Sequence, residues 1–184
     1  MDPERRTRAT LLLPALALLC AAATASAQAP PAGEWKLFQE FNFLSGSWSG
    51  PADSGGRIGW RVVSLATEVD GAMLRYRATT FFPAKDALPE SRTEEIGHIV
   101  YDSAKGKYVA LVVFSTKAWG IYDADVRPDG SIIFVSREMA NLEAGTRSRW
   151  NLLRKADGSI AESLEVAPPS RDFVPFLTAT LAKK

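Results

Sequence analysis

The sequence predicts an all-β fold, an antiparallel up-and-down barrel of about ten strands with a short N-terminal helical turn. Three observations carry this reading. Short β-rich runs follow one another from Trp48 to Leu181. Three Asp-Gly pairs, Asp70-Gly71, Asp129-Gly130 and Asp157-Gly158, each separate two such runs, and these residues tolerate the positive φ of tight hairpin turns. Helical spacing is persuasive only over Glu34 to Leu44, where Trp35, Phe38, Phe41 and Leu44 recur at three-residue steps. Without crossover helices consecutive strands pair as hairpins, and closing the sheet into a barrel removes its edges.

The chain opens with an address. Arg5, Arg6 and Arg8 precede an apolar run, Leu11 to Ala23, that ends in the small-residue triplet Ala25-Ser26-Ala27. This is the pattern of a secretory signal peptide cleaved after Ala27, and the run falls short of the ~20 apolar residues of a membrane span. The expected organisation is therefore a signal peptide over residues 1–27, a flexible leader over 28–34 and one barrel domain over 35–184, periplasmic or secreted and without a membrane anchor after cleavage. Removing residues 1–27 also removes the single cysteine and leaves nineteen charges of each sign. A neutral domain has no basic field for a nucleic-acid backbone. One histidine and no cysteine provide no zinc site and no Cys-His nucleophilic pair.

The predicted strands are Trp48 to Gly50, Ile58 to Val69, Met73 to Phe82, Glu94 to Tyr101, Tyr108 to Thr116, Gly120 to Val126, Ile132 to Arg137, Thr146 to Leu153, Ser159 to Val166 and Leu177 to Leu181. Within them, Leu74, Tyr76, Ala78 and Phe82 alternate with Arg75, Arg77 and Thr79, so Tyr76 is expected inside. The same parity puts Trp150 inside and Arg149 outside. Val109 to Phe114 is apolar on both faces, which suggests that its outer side is covered or meets a partner.

Catalytic signatures are missing. Gly46-Ser47-Trp48-Ser49-Gly50 has Trp48 where a nucleophile elbow needs serine. Glu94 and Glu95 are adjacent in a strand and face opposite sides, so they cannot act together on one glycosidic bond. Asp123 and Asp125 share a face, but two carboxylates fall short of the ~6–8 oxygens of a calcium site. No catalytic residue and no metal site is assigned.

The phrase Phe43-Leu44-Ser45-Gly46-Ser47-Trp48-Ser49-Gly50, after an aromatic helical turn and ahead of a strand series, resembles the opening of calycin barrels, the lipocalin and fatty-acid-binding-protein relatives. Within that group it is most similar to the nitrobindin-like barrels, which open on Leu-x-Gly-x-Trp-x-Gly and end on His-Leu-x-Ala-x-Leu before a basic residue. Here the ending is Phe176-Leu177-Thr178-Ala179-Thr180-Leu181-Ala182-Lys183. The resemblance implies that Trp48 closes one end of the barrel beneath an arginine, Arg149 or Arg147. It also puts Phe176 at the haem-ligand position, and phenylalanine has no lone pair for iron. Haem binding, with His98 as the other candidate ligand, is thus the second reading.

The first reading is a carrier of a small apolar or amphipathic molecule, with Trp60, Tyr76, Phe114, Phe134 and Trp150 as expected interior ligand contacts and no cofactor. A barrel isomerase or cyclase and a protein-interaction module are the alternatives.

Overall fold

The computed structural model describes residues 36–184, and the expected targeting segment and leader lie outside the described residues. A 3-10 segment, Lys36–Leu44, leads into ten strands: β1 Gly46–Ser54, β2 Arg57–Glu68, β3 Met73–Phe82, β4 Ser91–Asp102, β5 Lys107–Phe114, β6 Trp119–Val126, β7 Ile132–Ala140, β8 Arg147–Arg154, β9 Ile160–Ala167 and β10 Val174–Lys183. Each pairs antiparallel with its neighbours in sequence, and β10 returns to β1 to close the barrel.

The main departures from the predicted spans are at strand ends. β1 extends to Ser54 although Gly50, Pro51 and Asp53 are poor strand formers, because it pairs without interruption with β2 from Gly46↔Leu65 to Ser54↔Arg57. β10 starts three residues early and carries a bulge between Pro175 and Leu177. The Asp-Gly turns also differ from one another. Val69, Asp70 and Gly71 all take positive φ, whereas only the glycine does so at Gly130 and Gly158. At those two turns the aspartate accepts instead: Asp129 from the amide and hydroxyl of Ser131, Asp157 from those of Ser159.

One end of the barrel is stoppered by the 3-10 segment. Phe38 and Phe41 are fully buried there against Tyr108, with ring centroids 5.6 and 4.9 Å away, and Phe41 also meets Phe134. Trp48 lies in this layer and its indole N–H donates to the Leu44 carbonyl at 3.0 Å. The cation over its ring is Lys183, 5.7 Å from the centroid, and the expected arginine closure is corrected accordingly. Arg149 lies on the outer face, where it pairs with Glu165 and, like Arg147, covers the ring of Phe173.

The seam between β1 and β10 depends on Gly50, since a Cβ there would collide with the carbonyl of Thr180. Gly50→Ala is expected to cost about 1–3 kcal/mol by overpacking. Gly55→Ala, in open space at positive φ, should cost about 1 kcal/mol. Urea denaturation of the two variants against the parent measures the difference; equal losses would contradict a tight seam.

Candidate functional site

Midway along the barrel the inward face turns polar. Arg61 of β2 shares parity with Gly59, Val63 and Leu65, and the strand's alternation drives its guanidinium into the interior, where the residue is 1% exposed. Two carboxylates hold it. Glu95 of β4 accepts from both terminal nitrogens at 2.8 and 3.0 Å, and Glu162 of β9 accepts from Nε at 2.7 Å and from a terminal nitrogen at 2.9 Å. Thr80 and Tyr76 of β3 accept from the same guanidinium at 2.6 and 2.7 Å. Tyr76 donates in turn to Glu95, and the Trp150 indole of β8 donates to Glu162 at 2.9 Å. The five guanidinium N–H groups are therefore fully engaged.

The charges respond to this packing. Burial opposes ionisation of Glu95, but the charge and hydrogen bonds of Arg61 and the hydrogen bond from Tyr76 outweigh it, and the carboxyl sits below its ordinary range. Burial likewise opposes the charge on Arg61, and Glu162, Tyr76 and Glu95 reverse the effect to hold it well above its usual value. Burial pushes the Tyr76 phenol well up, so it stays a neutral donor.

Above this belt, at the end opposite the 3-10 plug, an apolar cleft of about 360 Å³ opens between the ends of β5 to β10. Phe114, Ala118, Met139, Leu164, Val166 and Phe176 supply its walls, and Thr146 and Ser148 are among its polar groups. Phe114 and Leu164 also line a void of about 10 Å³ immediately above Arg61, Tyr76, Glu95, Tyr122 and Trp150. The Tyr122 hydroxyl is buried with no partner in hydrogen-bond geometry among the described residues. Its phenol is pushed up by burial, an effect partly offset by nearby Ser148. The other side of the mouth is shut by Arg57, whose guanidinium lies 5.5 Å from the centre of the Phe82 ring and donates to the carbonyls of Phe82, Pro83 and Pro89.

The residues expected to contact a ligand scatter. Tyr76 and Trp150 face inward and meet at 4.7 Å between ring centres, but both belong to the polar belt. Phe134 is fully buried and stacks on Trp150 at 4.4 Å, on the plugged side. Phe114 is the one of the five that reaches the cleft. Trp60 is 50% exposed on the outer face beside Phe81, because inward parity on β2 belongs to its neighbour Arg61. His98 also faces outward, 3.7 Å from Glu68, so the single imidazole does not enter the barrel. Phe176, the bulged residue of β10, stands at the rim of the cleft. The outer side of β5 is open: Leu111 and Val113 are 44% and 47% exposed. Sequence reasoning missed Arg61, Glu95 and Glu162 as interior groups, although their parity with Val63 and Leu65, with Gly97 and Ile99, and with Ile160 and Leu164 was a usable signal.

No protein-family model matches the chain, and no curated protein matches it in sequence. Among solved structures, the crystal structure of Rv2717c from M. tuberculosis is similar, with a TM-score of 0.56 and 16% identity over 85% of this chain and 99% of that one. The likeness establishes the fold and is consistent with a calycin-like barrel.

Removing Arg61 leaves two buried carboxylates without their cation. Arg61→Leu should lose about 3–5 kcal/mol near neutral pH. The pH dependence should reverse as well. In the parent, the lowered Glu95 carboxyl contributes stability that is present above the unfolded value of about 4.3 and lost on acidification. In the variant burial is opposed only by the hydrogen bond left from Tyr76 and raises that carboxyl, so stability should fall as pH rises from 5 to 8. Urea midpoints at the two pH values read this directly, and parallel curves for both proteins would refute the clamp.

Proposed function

We propose that this chain is an exported barrel that binds a small apolar or amphipathic molecule at its open mouth. The observation that carries the reading is the apolar cleft between the ends of β5 to β10, opposite an end that aromatic side chains fill. Removing roughly 200 Å² of apolar surface from water contributes about 5 kcal/mol before the cost of association, which is the term that favours an apolar guest here. Phe176 and Leu142 are the exposed hydrophobic residues lining the cleft, and a guest would cover them.

This moves the binding surface from the barrel's middle, where Tyr76 and Trp150 were expected to contact a ligand, to its mouth. The middle has little free volume and its polar groups are mutually satisfied except at Tyr122. The basic start, apolar run and Ala25-Ser26-Ala27 triplet support export.

Titration with the uncharged fluorophore N-phenyl-1-naphthylamine tests the cleft. Thr146→Trp, which puts an indole at the cleft edge, should weaken binding about tenfold or more, whereas Leu111→Ser on the outer face of β5 should leave it unchanged. Absence of saturable binding by the parent, or equal loss in both variants, would refute the reading. For export, the intact mass of material from the periplasm or medium should correspond to a chain beginning at Gln28. A soluble species retaining Met1 would exclude cleavage there.

A further inference from the structure

We infer that the molecule taken at the mouth is an uncharged amphiphile whose inner end is a hydrogen-bond acceptor, and that the site discriminates against the fatty-acid anion of the same length. The inference rests on the proposed binding at the cleft and concerns what that cleft selects. Three independent observations lead to it.

First, the guanidinium buried in the interior, that of Arg61, is fully occupied. Arg61 donates to Glu95, Glu162, Thr80 and Tyr76, so a ligand carboxylate would have to displace a protein carboxylate that is already paired. Second, the cleft walls offer no cation among the described residues. Glu143 is the only charged residue among those lining it. An anion placed there would lose its hydration without a free cation, and at its inner end would meet Glu95 together with an Arg61 guanidinium that two carboxylates already neutralise.

Third, one polar atom at the inner end is left unpaired. The Tyr122 hydroxyl is buried beside the Ser148 side chain of the cleft wall but has no partner in hydrogen-bond geometry among the described residues, and Tyr122 lines the small void that shares Phe114 and Leu164 with the cleft. A phenol that remains protonated is a donor, so the complementary ligand atom is an acceptor such as an ester, ketone or ether oxygen. Phe114 and Leu164 are both only partly buried, and they form the partition between void and cleft. A side-chain rotation at this partition, rather than a backbone movement, would bring an acceptor to Tyr122.

The experiment is a competition at pH 8, where a free carboxylic acid is ionised. N-phenyl-1-naphthylamine bound to the full chain is displaced by methyl decanoate or by decanoate, which share an acyl chain and differ in charge. The ester should displace the fluorophore at about tenfold lower concentration than the anion. Tyr122→Phe should lower affinity for the ester about two- to tenfold, the range of one hydrogen bond, while leaving the fluorophore's own affinity unchanged. The same variant should unfold at higher urea than the parent, because it removes a buried unpaired hydroxyl; a purely structural tyrosine would lose stability and leave the ester's affinity alone.

Decanoate displacing as well as or better than the ester would overturn the charge selection while leaving a ligand-binding cleft in place. An unchanged ester affinity in Tyr122→Phe would overturn the role of Tyr122. Failure of the fluorophore itself to bind the parent would instead remove the binding reading on which this inference stands.

Discussion

The tethering of Arg61 across the barrel is the constraint from which the interior is organised. Its partners come from β3, β4 and β9, and Trp150 extends the set to β8, so one side chain on β2 fixes the separation of strands on opposite sides of the closed sheet. Burying a guanidinium and two carboxylates carries a desolvation cost that an apolar core would avoid. What the arrangement supplies is register. A one-residue slip of β2 would turn Arg61 to solvent and Trp60 inward, leaving Glu95 and Glu162 buried without their cation. Each of the three strands bearing these charges is thereby held to a single alignment.

That belt also separates two apolar regions of different character. Toward the 3-10 segment the interior is filled by Phe38, Phe41, Trp48, Tyr108 and Phe134, all buried, and the rings of Phe38, Phe41, Tyr108 and Phe134 meet one another edge-on or tilted. Toward the mouth the comparable positions are Ala118, Thr146, Ser148 and Val166. Beside them stand the larger Phe114, Met139 and Leu164, and among the described residues the mouth has no counterpart of Phe38 and Phe41, which the 3-10 segment supplies at the other end. The cleft opens where β7 and β8 part, since their pairing ends at Val135↔Arg149, short of Met139 and Thr146.

Much of this fold was legible because its signals are local. Hairpin turns advertise themselves through Asp-Gly pairs, and the alternation of Leu74, Tyr76 and Ala78 with Arg75 and Arg77 fixes which face of β3 is inside. The site was less legible for two reasons. An alternating pattern read as apolar-in and polar-out assigns every charge to solvent, so Arg61, Glu95 and Glu162 were hidden by the same rule that placed Tyr76 correctly. Trp60 was drawn inward by its size, although its own strand puts Val63 and Leu65 on the opposite parity. Phe176 was beyond pattern reasoning altogether, because the β10 bulge that directs it to the rim depends on pairing with β9.

Ten strands enclose a bore broader than aliphatic side chains alone can close, and the middle of this barrel is spanned by the longest groups available: a guanidinium, two tyrosines and an indole. Glycines make room for them. A Cβ at Gly120 would meet the Tyr122 ring at 2.9 Å, and one at Gly97 would crowd the β5 strand at the Leu111 carbonyl, 2.9 Å away. Polar side chains long enough to span the bore bring hydrogen-bonding groups with them, and these must find partners in one another. All but the Tyr122 hydroxyl do so, and that atom lies where the filled middle gives way to the open mouth. The chemistry left over from packing a wide barrel thus faces the direction from which a guest would come.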